Sequence, residues 1–438
     1  MQYVFLIILT GFTGFYSTVL KAEELCGVGF QKIGLSKQDI TPQKKLTLGG
    51  FGTYFLFSSS TRQNGEGIHD PLYAQSFAIE TDQSNLVIVS TDLVGLSTAS
   101  IKRIKDLITR ERDQPIKLII SSSHNHNSPD TLGLWGALPF QSGRDNSYMA
   151  AMESKIAQSV NSALESMACR SLAISTTTKD NSAPEFYPLA KTVQTIWIAE
   201  KNGQIAGSLT GWSAHPTVLG ADNNTVSADY VGSFRYFMTQ KHSGNHIYIN
   251  GILGDVYPKY DPQDQIADPF ADGDQDEEIR HRYRRSAHIG QDLAERVSSQ
   301  YAQRKPISES GRWNSKSLRF SMTVKNRLFR IAESLKIVEA RGLQTGSVET
   351  SIHLTRSDGV IFASLPGEVF PSVATAIYQE IKTVYPDDKI IFLGLGNDWL
   401  GYILSDEDYF NDDYRYHRTL APDPKAAVEL IEAYRRIL

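Results

Sequence analysis

His124-Asn125-His126 sets two imidazoles at positions i and i+2. On an extended backbone both would project to the same side. That suits two ligands of one metal, or a ligand beside a hydrogen-bond donor. His215 precedes Pro216, and proline holds the residue before it extended. Glu368 follows Pro366-Gly367, where it reads either as a carboxylate opening a helix and complementing its dipole or as a metal ligand. Imidazole nitrogens with a carboxylate oxygen make a zinc-type donor set, and a catalytic zinc keeps one position for water. His69, His242, His246, His281, His288, His353 and His417 show no comparable pairing.

These residues need elements that bring them together. Short apolar runs end in polar, chemically capable residues: 86–90 before Asp92, 118–120 before His124, 246–250 before Asp255, 360–364 before Glu368 and 390–395 before Asn397 and Asp398. Residues 193–199 and 205–212, joined by Asn202-Gly203, read as a hairpin whose second strand runs on to His215. Helical periodicity lies between the runs, over 99–110, 148–168, 279–302, 369–384 and 425–437. Apolar strands flanked by amphipathic helices indicate a mixed α/β fold, a layered sandwich of sheets covered by helices. Ligands in such folds gather at strand ends, and the number of chemically equipped exits points to one shared site.

The 438 residues carry a formal charge of −5, with 41% hydrophobic and 21% charged residues. This balance excludes a disordered chain, and without basic stripes it excludes a general nucleic-acid binder. Cys26 and Cys169, the only cysteines, exclude a disulfide scaffold and a CxxC metal site, but could pair with each other. Residues 3–20 are largely apolar and end at Lys21-Ala22. That reads as a signal peptide over 1–22, followed by one catalytic domain over 23–438. Export, periplasmic or extracellular, is expected, the alternative being an uncleaved N-terminal anchor.

The stretch Ser122-Ser123-His124-Asn125-His126-Asn127-Ser128-Pro129 resembles the double-histidine signature of the neutral/alkaline ceramidases. Further blocks agree in the family's order. They are Gly34 with Asp39-Ile40-Thr41, Gly49-Gly50-Phe51-Gly52, Gly67-Ile68-His69-Asp70, Val89-Ser90-Thr91-Asp92, Ala214-His215-Pro216-Thr217 with Ser227-Ala228-Asp229, Gly254-Asp255-Val256, Leu365-Pro366-Gly367-Glu368, and the tyrosine-rich end from Asn397 through Tyr414. The resemblance implies a zinc hydrolase that cleaves the amide of ceramide or a related N-acyl lipid through metal-activated water. It implies an amphiphilic lipid substrate, with contact to a membrane surface as a further partner. Carried over residue by residue, it assigns one Zn2+ to His124, His215, Glu368 and Tyr402. His126 and Tyr414 become the groups stabilising the oxyanion. Asp92, Asp229 and Asp255 are either groups that orient the imidazoles or loop caps.

The chain departs from the family in three places. Tyr257 stands where the family has the serine beside the zinc water, with Pro258 keeping the register, so the catalytic pocket must be reshaped around a phenol. Ser128-Pro129-Asp130 replaces the glycine-rich stretch after the histidines. The chain stops soon after the tyrosine-rich block, where typical members continue into an immunoglobulin-like domain. Asp272, Asp274 and Asp276 resemble the start of a calcium loop, which would add a structural Ca2+ or Mg2+. The required glycine and glutamate are missing, and a solvated acidic loop is the plainer reading. Asn223-Asn224-Thr225 is a glycosylation sequon. Besides the ceramidase-like amidohydrolase, a zinc esterase or deacylase and a non-catalytic lipid- or glycan-binding module are the competing functions. Convergent buried imidazoles argue against the last, since a scaffold has no need to bury them.

Overall fold

The strands β1 (Gln31–Asp39), β2 (Tyr73–Glu80), β3 (Asn85–Thr91), β4 (Ile116–Ser122), β5 (Ala168–Thr178), β6 (Thr192–Glu200), β7 (Ile205–Trp212) and β8 (Asn245–Asn250) bond edge to edge. Their order is β4-β3-β2-β1-β5-β6-β7-β8, with β9 (Lys305–Pro306) alongside β5. The structure, a computed structural model, describes residues 26–438 apart from 53–66, 82, 110–113, 137, 139, 262, 272–276, 308–311 and 340. The expected signal segment and the aspartates at 272, 274 and 276 lie outside the described residues.

A second sheet follows in the chain: β10 (Asn314–Thr323), β11 (Ser347–Ser357), β12 (Val360–Leu365) and, after the two-residue β13 (Glu368–Val369), β14 (Lys389–Gly394). Its order is β10-β11-β12-β14, while β13 pairs in parallel with β15 (Tyr402–Ile403) as a separate ribbon. The large sheet curls towards itself. Asn245 Nδ2 donates to Ser36 O at 2.9 Å, and Ser90 Oγ donates to Tyr248 O at 2.6 Å. Strand β14 lies against β4, β7 and β8, where Ser121 Oγ donates to Gly394 O at 2.6 Å.

Alternation of side chains separates the layers. In β3, Leu86 and Ile88 face the second sheet and pack with Phe362, Ile391 and Leu393. Val87 and Val89 face outward and pack beneath Ile104, Met152 and Ile156 of the helices Thr98–Leu107 and Asn146–Glu165. The helices Tyr230–Lys241 and Glu277–Ser299 cover Trp197, Trp212 and Tyr248. Pro371–Val384 and Ala426–Ile437 cover the small sheet through Val373, Ile377, Leu430 and Tyr434. The result is the mixed α/β sandwich flanked by helices. Burying each large apolar side chain contributes about 1.5–3 kcal/mol, and both faces of β3 take part.

The parallel pairs β3–β4 and β12–β14 are largely buried on both faces, which is why their centres read as short apolar runs. The Asn202-Gly203 hairpin forms as expected, with Gly203 at φ +83°. Cys26 and Cys169 form a disulfide that fastens the approach to β1 onto β5. The sequon asparagine, Asn223, is 1% exposed and donates to Asn127 Oδ1, so it is no glycan acceptor in the folded chain.

His69, unassigned from sequence, clamps the segment after Tyr260 to the body. Its Nδ1 lies 2.9 Å from Asp70 Oδ1 and its Nε2 2.7 Å from Asp268 Oδ2, with the ring stacked on Tyr283 at 3.7 Å. Burial opposes its charge, but the hydrogen bonds to Asp268 and Asp70 outweigh it and raise the pKa from 6.5 to about 9. Folding therefore raises the pKa, and the clamp contributes fully below 6.5 and is lost as pH climbs through about 9. The urea midpoint is expected to fall between neutral pH and about 9, and His69→Gln should flatten that fall. An equal pH dependence in the variant would place its origin elsewhere.

Candidate metal centre and active site

Two strand exits and one ribbon build the site. His124 leaves β4, His215 leaves β7, and Glu368 and Tyr402 are register partners on β13 and β15. Asn250, at the end of β8, binds both exits one residue before each histidine. Its Nδ2 donates to Ser123 O at 2.7 Å and to Ala214 O at 2.8 Å. Asn397 holds β4 from the other side, accepting from Ile120 N at 2.9 Å and donating to Leu118 O at 2.9 Å.

The imidazoles are oriented by backbone. His124 Nδ1 donates to Val94 O at 2.6 Å, and His215 Nδ1 donates to Val256 O at 2.8 Å. A carbonyl can only accept, so each Nδ1 carries a proton and each Nε2 is left to face the carboxylate. Both Nε2 atoms lie 3.2 Å from the same oxygen, Glu368 Oε2. Two imidazole nitrogens converging on one buried carboxylate oxygen make a donor set that a metal ion could take. The other carboxylate oxygen, Oε1, accepts from Trp399 Nε1 at 2.9 Å. Tyr402 lies against the same carboxylate, and burial, then Glu368, raise its phenol pKa well above 10.0.

The electrostatics favour the charged form of the carboxylate. Burial opposes charge on Glu368, yet His124 and then His215 hold its pKa well below 4.5. On His124 burial is opposed and outweighed by Glu368, so the pKa rises, whereas burial lowers that of His215. One nitrogen each of His124, His126 and His215 lie within 4.8 Å of one another, so His126 stands beside the expected ligands.

The loop reaches this arrangement differently from the expected extended pair. His124 has φ +64°, in the left-handed region, so the alternation rule does not apply. The kink turns the His124 and His126 rings edge-on, with centroids 4.8 Å apart at 81°. Gly50 makes room for His126, because a Cβ there would fall 2.2 Å from its Cγ. Nor does Glu368 open a helix. Its N–H donates to Gly401 O at 2.9 Å in the ribbon, and the helix begins only at Pro371.

The three aspartates divide. Asp92 forms a bidentate pair with Arg235 at 2.8 and 2.7 Å, and Asp229 caps the helix Tyr230–Lys241 through Tyr230 N at 2.6 Å. Neither of these bonds reaches an imidazole of the site, because the Val94 and Val256 carbonyls already occupy that role. Asp255 Oδ1 lies 3.3 Å from Nε2 of His417, a histidine unassigned from sequence. The His417 ring meets Tyr402 edge-on at 4.6 Å. Tyr257 stacks on His215 at 4.8 Å and 27°. Tyr414 is half-buried at the rim, 5.0 Å from Phe370 and 5.6 Å from His417. Tyr416, not singled out from sequence, lies closer in. Its ring is 6.3 Å from Tyr402, and burial, then Glu368, raise its pKa to about 12. A tyrosine two residues along the final block was the signal available for it.

Residues 31–265 match the sequence model of the family described as neutral/alkaline non-lysosomal ceramidase, N-terminal. The neutral ceramidase of Drosophila pseudoobscura pseudoobscura is 21% identical over 268 residues, taking in 53% of this chain and 37% of that protein. The chain thus spans little more than a third of that relative's length. The crystal structure of neutral ceramidase from Pseudomonas aeruginosa superposes with a TM-score of 0.74 at 15% identity, covering 94% of this chain and 74% of that one. A ceramidase complexed with C2 gives 0.73 at 15% identity, over 94% and 75% of the two chains. At such identity the structural likeness establishes the fold.

Proposed function

The chain belongs to the neutral/alkaline non-lysosomal ceramidase family, and from that premise we propose that it is an exported, zinc-dependent amidohydrolase acting on the N-acyl amide of ceramide or a related lipid. The observation that carries this is the convergence of His124 Nε2 and His215 Nε2 on Glu368 Oε2, each at 3.2 Å, with both Nδ1 atoms already committed. His124, His215, Glu368 and Tyr402 would hold the metal. When bound, it would supply Lewis acidity and an activated water.

The chain's own residues have separable tasks. Trp399 fixes the Glu368 carboxylate, and the Val94 and Val256 carbonyls fix the imidazole tautomers. His126 and a rim tyrosine, Tyr414 or the closer Tyr416, would donate to the oxygen on which charge develops, a contribution of about 10²–10³ in kcat for one such donor. Export rests on the apolar segment before residue 22 and on the Cys26–Cys169 disulfide, which fits an oxidising compartment.

Tyr257 favours a second reading, an esterase or deacylase for another acyl substrate, because its ring covers His215 where the family has a small hydroxyl. One experiment separates the two. Purified protein is given ceramides, N-acyl amino acids and simple esters, with and without a chelator. Chelator-sensitive release of fatty acid from ceramide is expected. Release from esters alone would transfer the assignment to the second reading, and no turnover with zinc bound would reject both.

A further inference from the structure

His417 is 7% exposed and enclosed by aromatic rings. Its ring meets Tyr402 edge-on at 4.6 Å, Phe370 at 5.4 Å, Tyr416 at 5.5 Å and Tyr414 at 5.6 Å. A phenyl ring would fill such a space without bringing polar atoms into it. Neither imidazole nitrogen forms a hydrogen bond with the described residues, and a buried polar group left in that state costs stability. What the imidazole has and a phenyl ring lacks is Nε2, which lies 3.3 Å from Asp255 Oδ1. Among the described residues no other basic side chain pairs with Asp255.

Asp255 needs a partner that holds it. Its φ of +55° is in the left-handed region, where a residue with a Cβ persists only when its surroundings fix it. The turn made by this conformation presents the next residue, Val256, to the site. The Val256 carbonyl accepts twice from His215, from the backbone N–H at 2.9 Å and from Nδ1 at 2.8 Å. Backbone bonds anchor the flanks of the turn: Gly254 N–H donates to Val369 O at 2.9 Å, and Tyr257 N–H donates to Ser182 Oγ at 2.8 Å. The side chain of Asp255 faces His417 instead. His417 belongs to the five-residue helix Arg415–Thr419, which follows Tyr402 in the chain. Their contact therefore bridges the turn that orients His215 and the part of the chain that supplies Tyr402.

We propose that His417 is a positioning residue of the metal centre: by holding Asp255 it fixes the turn whose Val256 carbonyl aims His215, and so sets His215 against Glu368 and Tyr402. The proposal rests on the metal-centre reading. Its test separates the packing of the ring from the action of the nitrogen. His417→Phe keeps the ring and removes Nε2, whereas His417→Gln gives up the ring and offers an amide N–H in its place. Zinc affinity, measured by competition with a chromophoric chelator, should fall about 10–100-fold in His417→Phe, the range for a group behind a ligand. It should recover in His417→Gln. Asp255→Ala should match His417→Phe, and the double variant should lose no more than either single one, as for two residues acting through one contact.

In cobalt-substituted protein the visible absorption, which reports the geometry at the metal, should shift in His417→Phe and return in His417→Gln. Urea unfolding checks that each variant is folded. A role in packing alone predicts the opposite order, with His417→Phe close to wild type and His417→Gln impaired. That order, an unchanged zinc affinity in His417→Phe, or additive losses in the double variant would overturn the proposal while leaving the metal centre in place. A wild type that takes up no zinc would instead overturn the metal-centre reading, and this proposal with it.

Discussion

His215→Ala is expected to strip the protein of its metal and, with it, of measurable amide hydrolysis. His215 contributes one of two imidazole nitrogens aimed at Glu368 Oε2. Losing it leaves a 2% exposed carboxylate with one imidazole, Trp399 and Tyr402 around it. A first ligand should matter more than an outer partner, whose removal costs about 10–100-fold in metal affinity or activity. Trp399→Phe supplies that comparison, since it removes only the hydrogen bond to Glu368 Oε1. Metal analysis of the purified variants should show about one zinc per chain in the wild type, weakened retention in Trp399→Phe and none in His215→Ala. Full zinc retention in His215→Ala would take His215 out of the ligand set.

Tyr257→Ser is expected to redirect the enzyme towards long-chain ceramide. In the native chain the phenol stacks on His215 at 4.8 Å. Burial, and then the charges of Asp255 and Glu368, raise its pKa above 10.0, so it stays a neutral, bulky wall. Its backbone is held through Ser182 whatever the side chain, so the substitution empties space next to His215 without loosening the loop. A change of pocket volume this size next to the reacting carbonyl should alter the ratio of kcat/KM for ceramide and a short N-acyl substrate by roughly tenfold or more. An unchanged ratio would remove Tyr257 from the determinants of substrate choice.

Much of this site was open to a reading of residue types. His124 and His126 follow β4, whose buried centre 118–120 is a short apolar run, and His215 follows β7, which its Asn202-Gly203 hairpin marks. Glu368 was legible as a carboxylate beyond a strand exit, whereas Tyr402 came from block resemblance. By contrast, β10 and β11 alternate serine, threonine and charged residues with a few apolar ones, and their pairing is visible only in the folded sheet.

The sequence alone determined which chemical groups are available: the imidazoles, the carboxylate, the tyrosines and the aromatic replacement at 257, each a property of a side chain. Tertiary structure decided how they are presented. The Val94 and Val256 carbonyls set the imidazole tautomers, the left-handed turn at His124 aims its ring, and the β13–β15 ribbon sets Glu368 beside Tyr402. The cause is that carbonyls and N–H groups are the same at nearly every position. Residue type carries no mark of which of them will be brought to a histidine by strands far apart in the chain.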